Sequence, residues 1–422
     1  MTDAEGAVRM STRKMKDSGV AWLEKVPDGW QVYPLKYGFD FSKGLNITKA
    51  DLTEKGVPVI SYGQIHSKRN TGTHLSDELL RYVPCEFVQS DPAAVLQKND
   101  FVFADTSEDL EGLGNCVFID REDTVMAGYH AIVLRPSIDA EHKYLAYLFK
   151  TDCWRRQIRE LAYGIKVYSL SQKILRQCSI LLPPLPEQRR IAAYLDDRCA
   201  RIDSVIETTK KTIEDYKALK QSIIFETVTG KNAGGKMKDS GVEWIGKVPA
   251  GWSVRRVKHI AVIRNGSDPV TEGDVPVYGS GETSFKTCGE YKEGPTVLLG
   301  RKGATLHIPH YIEGRYWNVD TAFDVKMKEG SCLKWFYYLA ISFDYEYYIS
   351  QTTLPGMTQT NYNNMRIPVP PQIEQFQIAD DLDKKCATID SLIAEKLALI
   401  ADLEAYKKSL VFECVTGKCE VA

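Results

Sequence analysis

The stretch Pro183–Lys231, PPLPEQRRIAAYLDDRCARIDSVIETTKKTIEDYKALKQSIIFETVTGK, decides how the rest of the chain is read. Pro183, Pro184 and Pro186 fix an extended approach, and proline is tolerated only in the first turn of a helix. Gly230 supplies a C-terminal stop. Between them Ile191, Leu195, Ile202, Val205, Ile206, Ile213, Leu219 and Ile223 recur every three or four residues, which predicts one helix with one apolar face. About forty residues at 1.5 Å each span roughly 60 Å. A single helix cannot bury so long a face against itself, so this one requires a partner.

The partner is a second copy. Pro370–Lys418 aligns with the first stretch without a gap: Pro183 with Pro370, Glu187 with Glu374, Cys199 with Cys386, Asp203 with Asp390, and Val228–Lys231 with Val415–Lys418. Its stripe is Ile378, Leu382, Ile389, Leu392, Ile393, Leu399, Ile400, Leu403, Tyr406 and Leu410. Both stripes keep a rough seven-residue beat, which favours coiled-coil pairing. The expected seam sets Ile191, Leu195, Ile202, Val205, Leu219 and Ile223 against Ile378, Leu382, Ile389, Leu392, Leu399, Leu403 and Leu410.

A shorter repeat extends the duplication over the whole chain. Met15–Trp30 reads MKDSGVAWLEKVPDGW and Met237–Trp252 reads MKDSGVEWIGKVPAGW. Trp22 and Trp30 match Trp244 and Trp252, each pair beside a Val-Pro and a Gly-Trp. Rings at fixed points next to a Pro-Gly turn suit anchoring of a segment onto a neighbouring surface. The expected order is a disordered N-terminus (1–14), a first variable domain with its box (15–182), a first helix (183–231), a linker (232–236), a second variable domain with its box (237–369), and a second helix with its tail (370–422). All the length difference between the halves falls in Gln31–Leu182 and Ser253–Val369.

Within those inserts, Val57–Ile60, Phe101–Phe103, Ala131–Leu134 and Ile180–Leu182 read as strands, and Lys143–Leu161 as a helix. Val275–Tyr278, Thr296–Leu299, Phe323–Val325 and Arg366–Val369 echo the strands, and Leu333–Ser350 the helix. The fold class expected is α+β, with two mixed domains separated by two long antiparallel helices and an internal pseudo-twofold.

Bulk properties exclude several classes. The chain has 422 residues, a formal net charge of −2, and 43% hydrophobic and 26% charged residues, an ordinary balance for a soluble protein. Ten cysteines occur without a CxxC pair, so they read as reduced thiols of a cytoplasmic protein. No run reaches membrane-spanning length, and no membrane partner is expected. Gly230–Met237 resembles a P-loop but has Met237 where Ser or Thr must hold magnesium, and it follows a helix rather than a strand. His307 and His310 have Pro309 between them and no third ligand nearby, so no metal is expected. Asp105, Glu108, Asp109 and Glu111 read as a solvated acidic loop. No serine, cysteine or histidine arrangement marks a nucleophile, and the chain is expected to be no enzyme.

Two divergent α+β domains alternating with two near-identical helices resemble the specificity (S) subunit of type I restriction-modification enzymes. The resemblance covers nearly the whole chain. It rests on Pro183–Gln188 with Ile191-Ala192, on Pro370–Gln375 with Ile378-Ala379, on the boxes Gly19–Trp30 and Gly241–Trp252, and on Leu298–Ala304. It implies that each variable domain reads one half of a split target in double-stranded DNA. It also implies that the helices set the distance between the halves and dock two modification (methyltransferase) subunits. Restriction/translocase subunits complete the complex; S-adenosylmethionine, ATP and magnesium belong to those partners, with no cofactor in this chain. The alternatives are a specificity subunit for a methyltransferase without a nuclease partner, and a purely structural two-partner scaffold.

Charge adds little to this reading. Gln31–Leu182 holds 18 basic and 19 acidic residues, and Ser253–Val369 holds 13 and 12. DNA contact then requires basic residues clustered on one face. The candidate DNA-binding residues are Lys43, Asn46, Lys68, Arg69, Lys166 and Tyr168 in the first domain. In the second they are Arg264, Asn265, Arg301, Lys302, Gln359 and Asn361, since amides suit adenine edges and Arg or Lys suits guanine.

Overall fold

The computed structural model describes residues 8–10, 12–162, 164, 166–281, 283–328, 330–349 and 356–421. The two repeats fold into long helices Leu185–Thr229 and Gln372–Val415. Both stop as the sequence predicts. Gly230 and Gly417 take positive φ, +73° and +72°. Lys231 N–H then donates to the Glu226 carbonyl at 2.8 Å, and Lys418 N–H to that of Glu413 at 3.0 Å, which satisfies carbonyls the helix end would leave orphaned.

The chain divides into two compact units, residues 1–207 with 400–422 and residues 208–399. Each unit therefore takes the start of one long helix and the end of the other, together with one variable domain. In the first unit Arg13 reaches both Glu187 and Glu420, and farther along Lys407 Nζ donates to Asp203 at 2.6 Å, so the helices run antiparallel. In the second, Trp252 lies against Gly230 and donates from Nε1 to Glu374 at 2.9 Å, and Lys220 Nζ meets Asp390 at 2.7 Å, again antiparallel. Asp203 and Asp390 are matched positions of the repeat, as are Lys220 and Lys407, so one ion pair is made twice.

The buried stripe differs from the apolar one read in sequence. It runs through Ile191, Leu195, Cys199, Ile202 and Ile206 in the first unit and Thr209, Ile213, Ile224 and Val228 in the second. On the second helix it takes Ile378, Leu382, Cys386 and Ile389, then Leu410, Val411 and Cys414. Ile223, Leu392 and Leu403 are half-buried. Val205, Leu219 and Leu399 are 48%, 48% and 39% exposed, so they do not belong to the seam. Val205 precedes the buried Ile206, and one residue turns a helix by 100°, enough to carry it off the face.

The PPxxEQ motif is a clamp. Gln188 and Gln375 are buried; their Oε1 atoms accept from Glu141 N–H (2.8 Å) and Cys332 N–H (3.0 Å), and their Nε2 atoms donate to the Pro183 (2.7 Å) and Pro370 (3.0 Å) carbonyls. Each glutamine thus ties the first turn of its long helix to the turn that starts a domain helix. About two turns on, Tyr147 donates to Asp196 and Tyr338 to Asp383, both at 2.7 Å. The boxes cap the other helix ends. An added Cβ at Gly417 would collide with Pro27, and one at Gly230 with Pro249, because Pro-x-Gly-Trp packs on the bare glycine.

The domains share one plan. The first has an antiparallel sheet in the order Cys116–Phe118, Phe101–Ala104, Ala131–Pro136, Phe39–Lys43. The second orders His310–Ile312, Thr296–Gly300, Ala322–Met327, Ala261–Asn265. A smaller sheet in each contains one parallel pair, Val57–Ile60 with Met126–Ala127, and Val275–Tyr278 with Arg315–Asn318. The expected helix Lys143–Leu161 is two, His142–Lys150 and Asp152–Leu161, because the Thr151 hydroxyl caps the second by accepting from Trp154 N–H. Leu333–Ile341 and Tyr345–Tyr348 likewise replace one helix, while Ser350 lies outside the described residues. The N-terminal segment is ordered where it is described: Val8–Met10 pairs with Cys419–Val421. Residues 1–7 and 11 of the segment expected to be disordered lie outside the described residues.

Leu195→Asp is expected to destabilise the chain by at least about 3 kcal/mol, since it strands a charge in a fully buried site. Val205→Asp, on the exposed face, is expected to stay within about 0.5 kcal/mol of the parent in the same denaturant titration. A second test uses Lys150, half-buried at the end of its helix. Burial first, then repulsion from Lys407, lowers its pKa to about 8. The folded value lies below the ordinary lysine value, so the stability cost is full below pH 8 and is relieved as pH rises toward 10.5. Lys150→Met should raise stability by on the order of 1–3 kcal/mol at pH 7. That gain should shrink in melts run from pH 8 to 10.

Candidate nucleic-acid interface

At one end of each main sheet the strands stop together and their loops converge. In the first domain Gly44 N–H donates to Ala131 O (3.0 Å), Leu45 N–H to Ala127 O (2.9 Å), and Gly128 N–H to Ile60 O (2.7 Å). The second domain repeats these bonds with Gly266 to Ala322 (3.3 Å), Ser267 to Asn318 (3.0 Å), and Val319 to Tyr278 (3.0 Å). The loop rim is therefore one backbone frame built twice, with different side chains on it.

Several sequence candidates stand on this rim. Lys43 ends its strand, and it and Asn46 are exposed. Lys166 is exposed and Tyr168 half-buried in the two-residue strand that pairs with Thr106–Ser107. In the second domain Asn265 ends its strand and is exposed, as is Lys302, while Arg301 is half-buried. Tyr163 and Ile165, beside Lys166, lie outside the described residues.

Other candidates also have partners within the fold. Arg264 grips the buried carboxylate of Asp324 at 2.6 Å, which Lys292 also contacts at 2.6 Å. Gln359 and Asn361 lie in a helix, Gln359–Asn364, rather than in a loop. The hydroxyl of Thr358 starts that helix by accepting from Asn361 N–H at 3.0 Å. Gln359 Nε2 donates to the Ile263 carbonyl at 2.5 Å and Asn361 Nδ2 to the Tyr348 carbonyl at 2.8 Å, so each amide also ties its helix to the fold. Lys68 and Arg69 are exposed in the turn after the helix Tyr62–Ile65, where Arg69 pairs with Glu78 at 3.2 Å.

The structure adds residues that sequence reasoning passed over. His66 Nε2 donates to the Thr106 carbonyl at 2.8 Å, and Nδ1 lies 3.2 Å from Asn115 Nδ2. Tyr62 stacks edge-on to His66 with centroids 4.8 Å apart, and its ring stands 6.2 Å from that of His130. Desolvation first, then the Glu108 carboxylate, raises the Tyr62 phenol pKa and keeps it protonated. His130 adopts φ +54°, a conformation a non-glycine residue rarely takes and one that clusters at working sites. Spacing hints only at Tyr62 with His66, four residues apart in one short helix and its cap; Thr106, Asn115 and His130 join them from elsewhere in the chain. Among the described residues no cluster of histidine, cysteine and carboxylate side chains is arranged to hold a metal, and no helix is long and apolar enough to cross a membrane.

Comparison with known proteins fits this geometry. A family model described as the type I restriction modification DNA specificity domain matches residues 27–215 and 249–401. The chain is 25% identical over 428 residues to a protein of Methanocaldococcus jannaschii named as the type I restriction enzyme MjaX specificity subunit, covering 94% of this chain and 96% of that one. It is 24% identical over 211 residues to the type I restriction enzyme EcoKI specificity subunit of Escherichia coli, covering 49% of this chain and 44% of that one. The solved structure of the HsdS subunit from Thermoanaerobacter tengcongensis is similar with a TM-score of 0.54 at 19% identity, covering 93% and 98% of the two chains. A chain from a structure addressing complex assembly and conformational transition of the type I R-M system gives a TM-score of 0.72 at 19% identity, covering 94% and 100%. Each family match takes one variable domain and the start of its long helix, and the two together span most of the chain, which thus belongs to the type I restriction-modification DNA specificity family.

Proposed function

We propose that this chain is the DNA-reading subunit of a type I restriction-modification complex, each domain reading one half of a bipartite target. The observation that supports this best is the loop rim, one frame built twice with unlike side chains. Such a rim keeps the approach to a duplex constant while the bases chosen differ. Lys43 and Lys166 in one domain and Lys302 in the other supply phosphate contacts, the sequence-independent part of affinity. The paired helices, 45 and 44 residues long, set the gap between the half-sites and offer their outer faces to two modification subunits. Those partners bring S-adenosylmethionine. Restriction subunits bring ATP and magnesium, and the complex works in the cytoplasm, where its DNA lies.

Two experiments test this. Replacing Gln31–Leu182 with the matching segment of another family member, in cells that supply the modification subunits, should change one half of the methylated motif and spare the other. A motif altered in both halves, or in neither, refutes modular reading. The purified chain alone, incubated with DNA and S-adenosylmethionine or ATP, should show neither methyl transfer nor hydrolysis. Turnover that persists through further purification would make it a catalyst.

A further inference from the structure

Resting on that reading, we infer that one backbone slot on the rim sets a base preference in each domain, filled by Asp105 in the first and Arg301 in the second. The residues occupy the same place. Asp105 N–H donates to the His130 carbonyl at 3.1 Å, and Arg301 N–H to that of Thr321 at 2.8 Å. The Asp105 carbonyl accepts from Leu170 N–H at 2.7 Å, and the Arg301 carbonyl from Met357 N–H at 2.9 Å. Each lies just past the end of the same sheet strand, Phe101–Ala104 or Thr296–Gly300. Their side chains are 34% and 35% exposed, so packing demands alone do not dictate their identity. The frame is held constant while charge and hydrogen-bonding sense are inverted.

The surroundings of each group aim it without exhausting it. Asp105 Oδ1 lies 3.0 Å from His130 Nδ1, and the other carboxylate oxygen keeps its capacity to accept. Arg301 Nη1 donates to the Asp320 carbonyl at 3.1 Å, and the guanidinium sits 6.0 Å from the Phe323 ring centroid. The same Nη1 lies 3.9 Å from the Asp320 carboxylate, so both contacts hold one corner of the planar fork. A guanidinium pairs with O6 and N7 of guanine, whereas a carboxylate accepts from the exocyclic amine of cytosine. The slot therefore selects guanine in the half-site of the second domain and cytosine in that of the first.

The test is to map methylation by sequencing in cells expressing the full chain with its modification subunits. Arg301→Gln should lower discrimination at one guanine of one half-site by about 10- to 100-fold, with the other half-site intact. Asp105→Asn should do the same at one cytosine of the opposite half-site. Melting curves of each purified variant confirm that it folds, and Arg301→Lys or Asp105→Ser substitutes for one that does not. An unchanged motif methylated uniformly less would make the slot a backbone contact, and an unchanged motif at full level would remove it from the interface; either result overturns the inference. Failure of the parent complex to methylate any split motif would instead refute the reading on which it rests.

Discussion

A helix of some 45 residues with a single apolar stripe has no stable existence alone in water, and the whole architecture follows from that need. The stripe is covered by a second helix of the same sequence pattern running the other way. Antiparallel pairing of like helices lets a contact recur at matched positions, as Asp203–Lys407 and Lys220–Asp390 demonstrate. Such exposed or half-exposed ion pairs contribute at most about 1 kcal/mol each. Their larger effect is on register, since a slip of one turn would part both pairs at once. The apolar seam supplies the energy, and the charges choose the alignment.

The units are held to that helix pair by groups whose polar atoms would be costly to leave unpaired. Gln188 and Gln375 are buried side chains with both ends of the amide occupied. Losing one of these bonds exposes a buried donor or acceptor, an unfavourable change of about 1–3 kcal/mol. Trp252 adds a hydrogen bond to Glu374 in one unit, and Arg13 takes the equivalent glutamate in the other. The same anchoring position is thus met by an indole in one half and a guanidinium in the other.

Much of this was legible from residues alone. The duplicated helices, their glycine stops, the boxes and most strands follow from ungapped identity and from period. The seam was only partly legible, because the eye follows apolar side chains whereas the buried face follows angle. Cys199 and Thr209 lie on that face and the more hydrophobic Val205 and Leu219 do not. The rim was the least legible part. Gln359 was chosen by composition alone, and nothing in the sequence shows that its amide also donates to the Ile263 carbonyl. Tyr62 and His66 are four residues apart in one turn of helix, but His130 joins them only through the fold, which no spacing along a chain encodes.

The closing of the chain has a consequence for how such a protein arises. In the second unit the segment 232–236 leads from the end of a long helix into the box that packs on that end. In the first unit the equivalent junction is not covalent: Val8–Met10 pairs with Cys419–Val421, and Pro27 and Trp30 sit on Gly417. Even the local contact is preserved, Asn232 donating to Thr227 in one unit where the Cys419 and Cys414 sulfurs meet in the other. The same joint is thus made twice, once through the backbone and once through paired strands. Tandem fusion of a half-length gene needs no new architecture, because the joint it creates is the one already bridged by the strands.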